Sequence, residues 1–321
     1  MSSPRRAFTL IELIIVVGII GLLIAILIPY LSKTRTASKT LICLTHLREL
    51  GKGWQIYADE NDGICLPGRM YEKNGGPSNP ANYYDVGNGF KYRPRWPATA
   101  GAQISLFGFD RPISYEDYST DPDLAAIVDR QDYDNELFQC PQVPEWINER
   151  NYAYGYNHQF LGNGRQTNGR FHNFPVRMSS VSDFAGTVMF ADSMGTAAGF
   201  SKFERTSYDP MGTEYSDYGN HGWSLDPPHL SSSSDRGTGD SGSPRTAVHP
   251  RHDGKVNAVF TDGHGETNTN RQLGYRTDEN GMYLDGPDPN DPGGTPPTDE
   301  DEPHNRHFSG TGRDNLPFPR P

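Results

Sequence analysis

The sequence predicts an α+β chain: a long N-terminal membrane-spanning helix that continues into an amphipathic half, followed by a loop-rich β-sheet head. Three observations carry that prediction. Phe8 to Ile28 is an apolar run with one charge, Glu12, and as a helix rising ~1.5 Å per residue it spans a hydrocarbon core ~30 Å thick. Beyond Pro29, the residues Ala37, Leu41, Leu44, Leu47, Trp54 and Tyr57 recur at three- and four-residue spacings or their multiples, which continues the helix to about Tyr57 or Ala58. Late in the chain, Gly186–Asp192 and Val256–His264 are short apolar runs bounded by turn residues, as strands are.

The apolar run comes first and sets the class. A secretory signal peptide has a shorter apolar core with a small-residue cut site after it, and Pro29-Tyr30-Leu31 offers no such site. Glu12 lies one turn inside the run, where an ionised carboxylate is costly in lipid. The helix dipole favours an acid there but does not offset burial in hydrocarbon, so a partner in another subunit is expected. Arg5 and Arg6 place the N-terminus in the cytoplasm by the positive-inside rule, with Lys33, Arg35 and Lys39 on the far flank opposing it.

Along the rest of the chain, Gly51 and Gly53 are weak points of the helix, and Asp59-Glu60-Asn61-Asp62-Gly63 ends it with turn formers. That turn does not fit an EF-hand, because the glycine comes one residue early and no acid stands at the twelfth position. From Pro67 to Gln139 the sequence is rich in Gly, Pro, Asn and Tyr, with short apolar pieces at Ile104–Phe107 and a short helix expected around Leu124 to Val128. Alternating tyrosines in Asn151–Asn157 read as a strand with one aromatic face that belongs to the core. Residues 218–246, rich in Ser, Gly, Asp and Pro, read as a mobile surface loop. After Arg276, Asp285, Asp288, Asp291, Asp299, Glu300, Asp301 and Glu302 stand among prolines and glycines, so 276–321 reads as an acidic, disordered tail.

Composition narrows function. Hydrophobic residues make up 34% and are concentrated at the N-terminus, while Gly 35 and Pro 26 favour loops over further long helices. A net charge of -11 argues against nucleic-acid binding, which rests on Lys and Arg. No phosphate-cradling glycine loop and no nucleophile elbow is present, so the sequence is read as a non-enzyme.

Ala7-Phe8-Thr9-Leu10-Ile11-Glu12 followed by the apolar stretch resembles the cleavage and methylation signal of type IV prepilins and type II secretion pseudopilins. The resemblance implies a leader of residues 1–7, a cut between Ala7 and Phe8 by a prepilin peptidase, methylation of Phe8 by the same enzyme, and a pilin-type helix over 8–58 with 8–28 in the inner membrane. It further implies that Glu12 pairs with the methylated amine of a neighbouring subunit, that Pro29 stands at the helix bend, and that the amphipathic half packs on an antiparallel sheet in an extracytoplasmic domain, 59–275. The family usually has Gly before the cut; this sequence has Ala7. His252, nine residues, then Asp262-Gly263 is similar to the H-X9-DG signature of a prepilin-processing-associated C-terminal domain, which implies no assigned activity. With Cys43-Leu44-Thr45-His46-Leu47-Arg48 and Phe138-Gln139-Cys140-Pro141, the resemblance spans most of the chain.

Two constellations remain. Outside the cytoplasm, Cys43, Cys65 and Cys140 permit one disulfide and leave one thiol over, with the pair undetermined. If the two late strands are neighbours, their terminal acids emerge near each other, and Asp192, His252, Asp262 and His264 then make a set suited to a divalent metal. The preferred reading is architectural: His252 and Asp262 hydrogen-bond across a hairpin and hold the turn at Gly263, since no thiol clusters near these ligands. The leading function is a structural pilin or pseudopilin subunit without a resident cofactor. The alternative is a membrane-tethered binding module for a surface glycan or a divalent metal.

Overall fold

The computed structural model describes residues 10–107, 109, 114–120, 135–143, 153–162, 164–167, 170–173, 176–205, 222–230, 236, 244–286 and 303–315. Helix α1 runs from Leu10 to Glu60 as one element with Pro29 inside it. From Leu10 to Leu31 its large apolar side chains are exposed, whereas Cys43, Leu47, Leu50, Trp54 and Ala58 are fully buried. The buried stripe is rotated from the expected one: Leu41 and Ala37 face outward, and Cys43 takes their place. The long apolar helix ahead of an antiparallel head is the α+β layout expected.

The head is centred on an antiparallel sheet of β3 (Tyr154–Tyr156), β6 (Val188–Gly195), β8 (Val256–Phe260) and β9 (Gly265–Asn268), with β7 (Ala247–Val248) pairing the far end of β6. Hairpins β1–β2 (Tyr83–Asp85, Phe90–Tyr92) and β4–β5 (Gly164–Thr167, Arg170–Asn173) lie outside that sheet. Side chains of β8 alternate as a strand requires. Val259 joins the core shared with α1, whereas Val256, Ala258 and Phe260 join a second core. On the α1 side, Asn257 Nδ2 donates to the Thr40 carbonyl at 2.9 Å and Gln55 Nε2 to the Thr261 carbonyl at 3.2 Å, tying the helix to both ends of β8.

Gly51 and Gly53 are contact points and not weak ones. A Cβ on Gly53 would lie 2.0 Å from the Ala100 carbonyl oxygen of α2 (Trp96–Gln103), and one on Gly51 would lie 3.1 Å from Met189 Cε of β6. Three indoles and the tyrosine strand fill the core around this contact. Trp54 Nε1 donates to Tyr156 Oη at 2.7 Å, Tyr156 Oη donates to the Leu66 carbonyl at 2.8 Å, and Trp96 stacks on Phe190 at 4.0 Å. Each apolar side chain so buried contributes roughly 1.5–3 kcal/mol.

Two readings from composition do not hold. Residues 303–315 and 276–286 are packed: Phe308 is fully buried against Tyr275 with ring centroids 5.5 Å apart, and Tyr283 Oη donates to the Val248 carbonyl at 2.6 Å. Residues 287–302 and 316–321 lie outside the described residues. Likewise, within 218–246, Trp223, Leu225, Asp226, His229, Leu230, Arg245 and Thr246 are buried. In both stretches a few aromatic and leucine anchors supply the burial that average composition conceals. The expected helix at 124–128 lies outside the described residues.

Candidate functional site

The N-terminal candidates are simple to place. Ala7 and Phe8 lie outside the described residues, Glu12 sits in the first turn of α1, and Pro29 is internal to it. The helix around Glu12 is unsheathed by the head: Leu10, Ile11 and Leu13 are all more than half exposed. By length and composition this helix is apolar enough to cross a membrane.

A second site forms in the head, where four segments meet. Cys43 comes from the buried stripe of α1 and Cys140 from the strand-like exit of a short turn, Glu136–Phe138, capped by the Asn135 side chain. Asp192 comes from the middle of β6, and His252 from the tight turn ahead of β8. That turn uses Asp253 and Gly254 at φ 55 and 76, with His252 and Lys255 exchanging backbone hydrogen bonds. An Asp-Gly pair with both φ values positive is the favoured two-residue hairpin. It fixes the direction in which His252 enters the core.

The sulfurs of Cys43 and Cys140 form a disulfide, with Cα atoms 5.2 Å apart across a sequence separation of 97. This resolves the pairing that the sequence leaves open; Cys65 stands outside the bridge, buried. Against it lies a buried pair, His252 Nε2 and Asp192 Oδ2, at 3.0 Å with neither side chain exposed. Cys140 Sγ is 3.7 Å from the same Nε2. On the other side of the ring, Nδ1 faces Gln142 Oε1 in a short contact and Thr40 Oγ1 at 3.2 Å. Asp192 Oδ2 also accepts from the Asn257 backbone amide at 2.8 Å, while Oδ1 has no hydrogen-bond partner among the described residues. Arg251 Nε stands 3.9 Å from that Oδ1, close enough for charge attraction but not for a hydrogen bond.

Burial dominates the electrostatics here. It pushes the Tyr154 hydroxyl well above the phenol range, and the nearby Asp192 charge adds to the effect. Tyr154 therefore stays protonated and donates to Cys43 Sγ at 3.4 Å and to the Gln139 carbonyl at 3.1 Å. His249 is held well below the ordinary imidazole value, first by burial and then by Arg251. Burial also lowers the Arg251 guanidinium, and Asp192 opposes that shift.

Asp262, Gly263 and His264 do not join this cluster. Because β6 and β8 are antiparallel, with Ala191 opposite Ala258 and Val188 opposite Phe260, Asp192 lies within β6 beside the start of β8, while Asp262 follows the end of β8. The expectation that these acids converge assumed the same direction for both strands. Asp262 Oδ1 instead accepts from the His264 backbone amide at 3.0 Å and from its Nδ1 at 2.6 Å, at the exposed turn into β9. Gly263 takes φ 90 there, and the His264 ring stacks on Phe260 at 4.4 Å. The His252–Asp262 bond across a hairpin is therefore replaced by His252–Asp192, and the H-X9-DG spacing separates two tasks at the two ends of β8. Cys43 and Cys140, set aside as ligands on sequence grounds, are the disulfide sulfurs beside His252.

Residues 2–28 match the family model described as the prokaryotic N-terminal methylation motif. No curated protein and no solved structure gives a significant match to the chain. The motif, with the long exposed apolar helix that carries it, supports a type IV pilin-like precursor in general and agrees with a single-pass inner-membrane protein.

Proposed function

We propose that the chain is a structural pilin-like subunit, cut between Ala7 and Phe8 and methylated on Phe8 by a prepilin peptidase, then assembled through residues 8–28 into a type IV pilus or type II pseudopilus. The observation that carries this reading is the division of α1. Its outer half is embedded in the head through Cys43, Leu47, Leu50 and Trp54, while its inner half projects with Leu10 to Leu31 uncovered. Such a bare face is stable in lipid before assembly and against the same face of neighbouring subunits afterwards. The orientation that follows has the N-terminus in the cytoplasm and the head in the periplasm. Glu12 would then pair with the methylated amine of an adjacent Phe8, so that neither charge is buried alone. Enzymatic activity has no part in this role.

The test uses Glu12→Ala in the native host. Removing a charge from the apolar segment leaves membrane insertion intact or improves it. The expected result is normal membrane levels and a loss of the protein from the sheared filament fraction. Undiminished recovery in that fraction contradicts the pairing, and absence of the wild-type chain from any sheared fraction contradicts assembly itself.

A further inference from the structure

We propose that Cys43, Cys140, Asp192 and His252 form, in the dithiol state of the chain, a closed four-ligand site for a zinc-class divalent cation that clasps the shaft helix to the head. One ligand atom from each of the four lies within 4.8 Å of every other, and all four residues are buried. The donors are two sulfurs, one imidazole nitrogen and one carboxylate oxygen. That borderline-soft set in four-coordinate form suits zinc, and a full set of protein ligands marks a structural site over a catalytic one.

The surroundings are those a metal site needs. With the Gln142 carboxamide oxygen on Nδ1, that nitrogen donates and Nε2 keeps its lone pair. Asp192 Oδ2 lies 3.0 Å from that Nε2, so one ion can be reached by both atoms. Asp192 Oδ1, fully buried and without a hydrogen-bond partner among the described residues, is a further acceptor beside the site. Donors already converge on both sulfurs: Tyr154 Oη on Cys43 and the Gln142 backbone amide on Cys140 at 3.5 Å. Charge also closes. Two thiolates and one carboxylate carry three negative charges, which a divalent ion and the buried Arg251 guanidinium cancel.

The site and the disulfide exclude each other. The chain is synthesised with both thiols, and binding the ion displaces their two protons without any change of oxidation state. Disulfide formation instead removes two electrons and two protons to a thiol oxidant and deletes two ligands. The ligands come from α1, the segment after Phe138, β6 and the turn before β8. Either linkage therefore fastens the shaft to the head, and the metal form does so before any oxidant is met.

The experiment takes the full chain in detergent micelles, reduced with a phosphine and freed of metal, and titrates it with Co²⁺ and then Zn²⁺. The expected result is one Co²⁺ per chain, with sulfur-to-cobalt charge transfer and the intense visible absorption of a tetrahedral site, bleached by one equivalent of Zn²⁺. Cys140→Ser and His252→Ala should each weaken Co²⁺ binding by more than ~100-fold, and Gln142→Ala, which loses only an outer partner of His252, by ~10–100-fold. Chain oxidised to the disulfide should show none of the charge-transfer band. The wild-type spectrum decides the matter even where a variant fails to fold. If the reduced wild type binds Co²⁺ without the sulfur band, or binds none, the site does not exist.

Discussion

Cys65 shows how one buried group sets the behaviour of the head at alkaline pH. Its thiol is pushed up to about 12, chiefly by burial. A folded value above the unfolded one means that the unfolded chain gives up its proton first as pH rises. The contribution is therefore fully present below about pH 9 and is lost between there and about pH 12. Tyr154, Tyr156 and Tyr275, all raised well above the phenol range by burial, act in the same direction. Urea titrations of the full chain in detergent should show stability falling from pH 9 upward. A flat profile to pH 11 would mean that these groups are open to solvent. The same burial protects Cys65 from alkylation in the native chain, with labelling expected only on unfolding.

Helix α1 holds two kinds of glycine, which a sequence alone does not separate. Gly53 meets the Ala100 carbonyl of α2, where an added Cβ would sit at 2.0 Å, whereas a Cβ on Gly18 or Gly21 would meet no other segment among the described residues within 4 Å. Gly53→Ala should cost the head about 1–3 kcal/mol through overpacking, despite alanine's better helix propensity. Gly21→Ala should leave the melting temperature of the head unchanged. Equal effects of the two would show that helix propensity, and not the α1–α2 contact, governs position 53. At this scale the sequence was legible where pattern and packing agree. The apolar run, the helix beyond Pro29, and β6 and β8 each announce themselves through contiguous or periodic apolar residues. Helix α2 does not, because it is only eight residues long and Thr99 and Gly101 are poor helix formers. What holds it is its seat on Gly53. The cluster around His252 was half legible: Asp192 and His252 were marked, but the Cys43 and Cys140 sulfurs come from segments too distant for any ligand spacing to link them.

At the scale of the whole molecule, the sheet lies between two cores, one closed by α1 and the other by the C-terminal segment. Phe308 is the plug of the second core, fully buried beside Tyr275, and its carbonyl accepts from Asn157 Nδ2 at 2.9 Å. Composition misread this segment because the acids and prolines of 285–302 colour the whole tail, whereas 303–315 holds one acid, Asp314, one proline, Pro303, and the buried Phe308. Phe308→Ala should destabilise the head by about 3–5 kcal/mol, read by chemical denaturation. An unaffected midpoint would return residues 303–315 to the status of a loose tail. The central claim concerns the other end of the chain, where the motif over residues 2–28 meets the uncovered half of α1. Mass spectrometry of the N-terminus of protein taken from its native host tests that claim most directly. The expected result is a chain beginning at Phe8 and carrying one added methyl group on its amine. Intact Met1, or a terminus near Pro29, would contradict it.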